Sequence, residues 1–343
     1  MKKKITFIGS GNVGQIVAML IAEMDLADIV LIGGVHVGMA AGKALDLFQA
    51  APIERHHKKI VGYTGEFGDM QGSDIVVISA GIARKPGMSR EDLLEANTSI
   101  VRTAVEKVVE IAPDAIIIMV TNPLDAMTQV AYESSGFLRS RVIGMAGVLD
   151  SARFAAFISL ELNVSVENIS TFVLGGHGDA MVPLPRYTSV AGIPLTDLLN
   201  SECIETLIER TRNAGAEIVN LLKTGSAYFA PACAIKEMLE SILKDKKKIL
   251  PCSAYLQGEY GINGLCMGVP VKLGENGIEQ IIEITLTEAE KKELLKSAQS
   301  VKSLRDAIRK KDAENQAAER LGLKPSKAGR GKGKRDVLEE LTA

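Results

Sequence analysis

The sequence predicts an α/β protein with a doubly wound parallel sheet, followed by a second domain of mixed α+β type. Residues 1–147 alternate short apolar runs with longer amphipathic segments, as βαβ units do. The short runs are apolar at nearly every position, which is typical of parallel strands buried on both faces. After residue 147 this alternation stops, and longer charged helical patterns follow. A chain of 343 residues is long enough for two domains.

The first predicted domain, residues 1–147, is defined by five strands and four helices. The predicted strands are Ile5–Ile8, Ile29–Ile32, Ile60–Tyr63, Ile75–Ser79 and Ile116–Val120. The predicted helices, from the helical spacing of apolar residues, are Val13–Met24, Ala40–Gln49, Glu91–Ile111 and Leu124–Ser134. Because βαβ connections are right-handed and join parallel strands, these strands should form one parallel sheet.

The second predicted domain, residues 148–311, mixes long helices with strands that contain more turn residues. The predicted helices are Ser151–Leu162, Ile204–Leu222 and Tyr228–Lys244, and the strand-like runs are Ile169–Val173, Met181–Tyr187, Lys248–Leu256 and Leu265–Lys272. A final helix begins at Thr287, where Thr-Glu-Ala-Glu resembles a capping box, and runs past Ala307.

The segment 312–343 differs in composition from the rest of the chain. Between Lys324 and Arg335 it contains six basic residues, three glycines and no acidic residue. This composition predicts a basic, flexible tail. The tail is either a solvated extension or a weak site for an anionic partner such as nucleic acid or another subunit.

Charge, cysteines and hydropathy exclude several classes of protein. With 40 basic and 42 acidic residues, the formal net charge is −2, so we expect no binding of nucleic acid by the chain as a whole. The four widely spaced cysteines fit neither a zinc site nor a disulfide scaffold, and they predict reduced thiols in the cytoplasm. No apolar run approaches the roughly 20 residues of a membrane-spanning helix, so we expect no membrane association.

Gly9-Ser10-Gly11-Asn12-Val13-Gly14 is a G-x-G-x-x-G motif between a predicted strand and a predicted helix. In this context the first glycine allows a tight turn, Gly11 lets the backbone approach a pyrophosphate, and Gly14 lets the helix pack on the strand. The helix N-terminus adds N–H groups and the positive end of its dipole. The motif therefore predicts a Rossmann-type domain that binds a dinucleotide, with NAD as the expected cofactor.

The region after the motif departs from the usual dinucleotide-binding pattern at one position. An acidic residue about 20 positions further along normally binds the adenosine ribose hydroxyls. Gly34 stands there instead, and Asp28 lies at the opposite end of the same strand. Because no carboxylate repels a 2′-phosphate at this position, NADP stays open as a second cofactor.

Four further segments follow the motif in order: Ala80–Arg90, Thr121–Asp125, Val148–Arg153 and Gly175–Asp179. Together with the motif they resemble the lactate/malate dehydrogenase family, from Lys4 almost to the tail. The resemblance implies hydride transfer between a 2-hydroxy acid and a nicotinamide cofactor, in a homodimer or homotetramer. It also implies further cofactor contacts, at Asn97 and Asn122. Val120 and Thr121 are expected beside them, because they end the fifth predicted strand at the sheet edge where ligands bind.

His177 lies between glycines after a predicted strand, in a loop that could present an imidazole to a substrate. Oxidation of an alcohol needs a group that takes the hydroxyl proton, and a histidine suits this task in both directions. Asp150 is the candidate carboxylate that would orient the imidazole, a role that the family resemblance also implies. The other three histidines are interpreted as structural.

Arginines supply the charge that an anionic substrate needs. Arg153 follows Asp150 by three residues, so both side chains share one helix face, and the resemblance assigns Arg153 to a substrate carboxylate. Arg84 and Arg90 flank a Pro/Gly loop that could close over the substrate. The resemblance assigns Arg90 to the reacting carbonyl, Asn122 to substrate and nicotinamide, and Arg84 to a second carboxylate. Arg84 therefore predicts a dicarboxylate, (S)-malate oxidised to oxaloacetate, because burying that carboxylate without a counter-charge would be costly.

Three alternatives stay open at this point. The first is the same reaction with NADP, or with both cofactors, and the second is a dehydrogenase of lactate or another 2-hydroxy acid. The third is a non-catalytic nucleotide- or RNA-binding protein on the same fold. The acid–base pair argues against the third alternative, since a binding protein need not keep it.

Overall fold

The computed structural model describes residues 3–34, 36–82 and 89–320. The described residues form two compact units: those from 3 to 142 together with those from 302 to 320, and residues 143–301. The first unit alternates strands and helices: β1 (Lys4–Ile8), α1 (Asn12–Glu23), β2 (Asp28–Gly33), α2 (Met39–Glu54), β3 (Ile60–Thr64), β4 (Ile75–Ile78), α3 (Arg90–Ile111), β5 (Ile116–Met119) and α4 (Leu124–Ser135). A short strand, β6 (Val142–Gly144), begins at the boundary between the units.

The strands of the first unit form a parallel sheet in the order β5-β4-β1-β2-β3. Every residue of β4 and β5 is buried, as expected for strands covered on both faces. The order reverses direction at β1, because β2 lies on one side of it and β4 on the other. Ligands bind at the carboxyl ends of strands at such a switch point. The predicted doubly wound fold is confirmed.

The second unit contains the remaining elements. They are α5 (Gly147–Leu162), β7 (Ile169–Ser170), β8 (Val173–Leu174), β9 (Val182–Pro183), β10 (Ser189–Val190), β11 (Ile193–Pro194), α6 (Leu195–Leu198), α7 (Ser201–Leu222), α8 (Phe229–Leu243), β12 (Lys248–Gln257), β13 (Asn263–Gly274), β14 (Gly277–Ile281) and the first part of α9 (Glu288–Arg320). Strands β12, β13 and β14 pair antiparallel, and Gly144 of β6 pairs with Ser253 of β12. Two small sheets, β11-β10-β7 and β8-β9, complete the unit.

Two predicted strands of the second unit differ from the structure. The run Ile169–Val173 is divided between β7 and β8, which belong to different sheets. The run Met181–Tyr187 is a strand for two residues, and Pro185–Tyr187 then forms a 3₁₀ turn. Proline lacks the N–H that a sheet ladder needs, so Pro183 and Pro185 limit the strand. A pattern of β-type residues alone does not reveal these interruptions.

An apolar cluster fixes the helix that carries Asp150. Phe154 and Ile158 of α5 are completely buried, and they belong to a cluster with Ile204 and Leu207 of α7. Because the interior is packed as densely as a crystal, these contacts hold the helix in one orientation. The opposite face of α5 is thereby left for its polar side chains.

The final helix extends further than the sequence indicates. α9 continues to Arg320, so it includes the first residues of the segment 312–343, which we had assigned to a tail. By its contacts, the part of the helix from residue 302 onwards groups with the first unit, whereas the sequence predicts a second domain that extends to residue 311. Ion pairs explain this difference: Arg102 of α3 makes a bidentate contact of 2.6 Å with Asp312, and Arg309 contacts Glu133 of α4. The basic stretch Lys324–Arg335 lies outside the described residues.

No helix within the described residues is both long enough and apolar enough to cross a membrane.

Candidate active site

Three glycines with different surroundings form the turn between β1 and α1. Gly9 has a φ of +112°, and a Cβ there would lie 2.6 Å from the backbone nitrogen of Ala80. A Cβ on Gly14 would lie 2.2 Å from the carbonyl oxygen of Gly9, so the helix packs directly on the turn. Around Gly11 a Cβ would meet no atom within 4 Å. Two glycines are therefore needed for packing, whereas the third faces open space.

The open side of this turn fits a dinucleotide. Gly11 is the N-cap of α1, and no side chain caps the helix or places an acidic group in its first turn. Gly11 and Asn12 are exposed, Val13 is half-buried and Ser10 is buried. The N–H groups at the start of α1 are thus available to a pyrophosphate, which also gains from the helix dipole.

The end of β2 lies against this turn and carries no side chain. A Cβ on Gly33 would lie 2.3 Å from Oγ of Ser10, and Gly34, which follows the strand, is buried. Lys43 of α2 donates to the carbonyl oxygen of Ser10 at 2.5 Å. Burial lowers the pKa of Lys43. Where the motif normally has a carboxylate for the adenosine ribose, this protein has glycine, with a lysine on the neighbouring helix.

The segment after β5 is held by two buried side chains. Thr121 donates its hydroxyl to the backbone that follows β4, at 2.6 Å. Asn97 of α3 is almost completely buried; its amide donates to the carbonyl oxygen of Asn122 at 2.7 Å and accepts from the N–H of Ile82 at 2.8 Å. The side chain of Asn122 is exposed. Val120, which precedes Thr121 and Asn122 in the chain, is half-buried. The structure gives Asn97 a positioning role, and its direct contact with a cofactor stays a prediction.

His177 and Asp150 are joined in the second unit. Nδ1 of His177 lies 2.8 Å from Oδ2 of Asp150, and Asp150 is 2% exposed. Asp150 lies in the first turn of α5, where the helix dipole favours a carboxylate. Ser151, the next residue, accepts a hydrogen bond from the N–H of Val173, which lies two residues before Gly175. This contact ties α5 to the strand that leads into the histidine loop.

Arg153 lies on the same face of α5 as Asp150 and is mostly buried. Its Nη1 is 3.5 Å from Oδ1 of Asp150, a distance that is an ion pair but no hydrogen bond. Nε of Arg153 and Oδ1 of Asp150 have no hydrogen-bond partner in the described structure. Burial lowers the pKa of Arg153, whereas Asp150 raises it. The Arg153 side chain is still 12% exposed, so its planar guanidinium can bind an anion from outside the chain.

The structure does not describe the side chains of the two other predicted arginines. Arg84 lies outside the described residues, and the side chain of Arg90, at the start of α3, is also outside them. Their roles stay predictions.

Sequence analysis missed two groups that contact the histidine loop. The hydroxyl of Ser297 on α9 accepts from the N–H of Gly176, and Gly268 of β13 pairs with Gly175. Neither residue carries a local sequence signal, because each acts through a contact with a distant part of the chain. In the described part of the chain, no group of three or more His, Cys, Asp or Glu side chains could hold a metal ion.

Known proteins resemble this chain over most of its length. The family described as lactate/malate dehydrogenase, NAD binding domain, matches residues 3–144, and its alpha/beta C-terminal domain matches residues 147–314. A malate dehydrogenase of Chloroherpeton thalassium is 55% identical over 299 residues, which cover 87% of this chain and 96% of that protein.

Two solved structures have the same fold. The apo malate dehydrogenase of Picrophilus torridus matches with a TM-score of 0.89 at 44% identity, over 92% of this chain and 100% of that one. The lactate dehydrogenase of Cryptosporidium parvum, complexed with lactic acid and nicotinamide adenine dinucleotide, matches with a TM-score of 0.86 at 40% identity, over 90% of this chain and 98% of that one.

The surroundings of Gly11 generate a test of dinucleotide binding. We expect Gly11→Val to leave the melting temperature nearly unchanged, because its side chain enters open space. The same side chain would block the approach of a pyrophosphate, so NADH affinity should fall by about 10-fold or more, equivalent to about 1.4 kcal/mol. Fluorescence titration with NADH measures the affinity, and thermal unfolding measures the fold. A variant that binds NADH normally would contradict this placement of the phosphates.

Proposed function

The chain belongs to the lactate/malate dehydrogenase family, and from that premise we propose that it catalyses the reversible oxidation of (S)-malate to oxaloacetate with NAD⁺. The observation that carries this proposal is the buried pair of Asp150 and His177, with Arg153 on the same helix face. An acid–base pair beside a buried arginine suits a reaction that moves a proton on an anionic substrate.

The reaction removes a proton from the malate hydroxyl and a hydride from C2, so that the C–O single bond becomes the carbonyl of oxaloacetate. Bound NAD⁺ supplies the hydride acceptor. Because Asp150 engages Nδ1, His177 takes the hydroxyl proton at Nε2, and it returns this proton in the reverse direction. Asp150 fixes the tautomer and stabilises the imidazolium that forms.

Arg153 binds the C1 carboxylate of the substrate in this proposal. The planar guanidinium, which is still partly exposed, supports a two-point contact that a lysine could not make. Asn122, whose side chain is exposed after β5, binds substrate and nicotinamide. Arg90 polarises the reacting carbonyl, and Arg84 pairs with the second carboxylate.

A second candidate substrate is lactate, and the similarity to a lactate dehydrogenase structure is the observation that favours it. The two acids differ in one carboxylate, so the charge of the residue that meets this group decides between them. Arg84 favours malate, because its guanidinium would pair with the second carboxylate of malate, whereas lactate has only a methyl group at that position.

The first unit is an NAD-binding domain, and we propose that it also accepts NADP. The support is the glycine at position 34, together with Lys43, whose ammonium group reaches the fingerprint turn. Neither residue repels a 2′-phosphate.

We further propose a homodimer or homotetramer in the cytoplasm. Leu45 and Phe48 of α2, three residues apart on one helix face, are more than half exposed, and a subunit contact would cover them. The four cysteines are free thiols, as in proteins of a reducing compartment. We expect no nucleic-acid partner and no membrane partner.

Substitution of His177 tests the reaction chemistry. We expect His177→Asn to bind NADH normally but to lower kcat by about 10²- to 10⁴-fold, the usual contribution of a positioned acid–base group. Steady-state NADH oxidation with oxaloacetate measures the effect. His57→Asn is the matched control, because His57 is exposed and should tolerate the change. Activity in His177→Asn comparable to that of the control would contradict the mechanism.

Substitution of Arg84 tests the choice of substrate. Arg84→Gln removes the charge that is expected to pair with the second carboxylate, so the rate with oxaloacetate should fall and the ratio of pyruvate to oxaloacetate activity should rise. Both rates are measured with NADH at saturation. Arg210→Gln, which changes a surface arginine paired with Glu217, is the control. An unchanged ratio would mean that Arg84 does not contact this carboxylate.

The absence of an acid at position 34 predicts relaxed cofactor choice. We expect NADPH to support the reaction within roughly two orders of magnitude of NADH in kcat/KM, a gap of about 2.7 kcal/mol. Gly34→Asp should improve NADH, because a carboxylate accepts hydrogen bonds from the ribose hydroxyls, and should nearly abolish NADPH by charge repulsion. Kinetics with both cofactors measure this. If the unsubstituted protein rejects NADPH far more strongly, another residue enforces the choice.

A further inference from the structure

The sequence of the loop that carries His177 does not restrict its backbone to one conformation. Gly175 has a φ of +89° and Gly178 a φ of +148°, values that glycine adopts without strain. Glycine also leaves the backbone with the most alternatives, so the loop needs contacts from other elements to keep one shape. The hydrogen bond to Asp150 holds the imidazole ring, whereas the loop backbone is held elsewhere.

One backbone contact comes from β13. The N–H of Gly175 donates to the carbonyl oxygen of Gly268 at 2.9 Å, and the N–H of Gly268 donates to Gly175 at 3.2 Å. A Cβ on Gly268 would lie 2.4 Å from the carbonyl oxygen of Gly175, so the two backbones are in close contact. This contact fixes the point at which the loop begins.

The next residue of the loop is held by a side chain. The N–H of Gly176 donates to Oγ of Ser297 at 2.9 Å, and Ser297 is 1% exposed. Its hydroxyl also packs on Gly175, since a Cβ there would lie 2.8 Å from Oγ. Ser297 is therefore a buried acceptor for the N–H that immediately precedes His177.

The same face of α9 also holds the other side of the loop. Glu293, one turn before Ser297, forms an ion pair of 3.4 Å with Arg212 of α7. Arg212 in turn donates from Nε to the carbonyl oxygen of Met181 at 3.3 Å. The N–H of Met181 donates to Gly178 at 3.0 Å and so closes the loop. Two residues of α9, four apart, thus hold both ends of the loop.

A cavity of about 340 Å³ lies beside the segment that follows the loop, and Met181, Arg212, Glu293 and Ser297 contribute to its wall. Packing is incomplete on this side, so the hydrogen bonds of Ser297 and Arg212 contribute to holding the loop.

We propose that Ser297 is a positioning residue for the reaction of His177. Its hydroxyl oxygen holds the N–H of Gly176 and thereby sets the place of the imidazole relative to Asp150. This inference rests on the proposed function, because it assigns a role in the same hydride-transfer site. Ser297 itself acts through the loop and is given no contact with the substrate.

Single-turnover kinetics test this role. With enzyme in excess over NADH and with saturating oxaloacetate, we expect Ser297→Ala to lower the rate constant of NADH oxidation by about 10- to 100-fold, as small displacements of a catalytic group do. The affinity for NADH and the number of NADH-binding sites per chain should stay normal. A purely structural role would show the reverse, fewer NADH-binding sites per chain from a smaller folded fraction, with an unchanged rate constant.

Two further variants make the test decisive. Ser297→Cys keeps a side chain of similar shape but has a weak sulfur acceptor, so its rate constant should lie between those of the serine and alanine forms. Ser300→Ala is the matched control, because Ser300 is an exposed serine of the same helix, and it should behave like the unsubstituted protein. Rate constants for both Ser297 variants equal to that of the control would overturn the proposal. Failure of the proposed function itself would appear differently, as no NADH oxidation by the unsubstituted protein with any 2-oxo acid.

Discussion

A carboxylate that is 2% exposed must be paired, and this requirement organises the second unit around Asp150. Its oxygens face two side chains, the imidazole of His177 and the guanidinium of Arg153. The histidine is hydrogen-bonded to one oxygen, whereas the arginine is too distant for a hydrogen bond with the other. The arginine therefore keeps N–H capacity for an external anion, and the histidine is kept in one tautomer. One buried charge thus orients both the acid–base group and the anion-binding group that we propose.

The elements around this pair explain why it holds its geometry. Asp150 and Arg153 lie on α5, whose apolar face is fixed against α7 by completely buried side chains such as Phe154. His177 lies on a glycine-rich loop, whose backbone is bonded to β13 and α9. A rigid helix thus carries the carboxylate, and a loop held at several points carries the imidazole. The roles that we propose for Asp150 and His177 need this kind of support, because misplacement of a catalytic group by about 1 Å is enough to slow a reaction by about 10²-fold.

In the first unit, the corresponding constraint is that three positions must be glycine, because a side chain there would collide with its neighbours. Gly9, Gly14 and Gly33 have neighbours so close that a Cβ would collide with backbone or hydroxyl atoms. Their close packing joins the ends of β1, β2 and β4 to the start of α1. The edge that results presents N–H groups and an open approach at Gly11, which is what a pyrophosphate requires. The missing carboxylate at Gly34 changes the cofactor preference that we propose without changing this packing.

Local sequence patterns were enough to predict many of the elements. Buried parallel strands are apolar throughout, the fingerprint glycines follow a strand, and Asp150 and Arg153 are spaced for one helix face, so fold class and candidate residues could be predicted. The unit that the end of α9 contacts could not be predicted from the sequence, because the ion pair of Arg102 with Asp312 joins residues 210 positions apart. Tertiary structure also decided that Ser297 holds the backbone beside His177, across 121 positions. Such contacts leave no pattern in the sequence, since a buried serine or a surface arginine acquires its role only from the group that folding brings next to it.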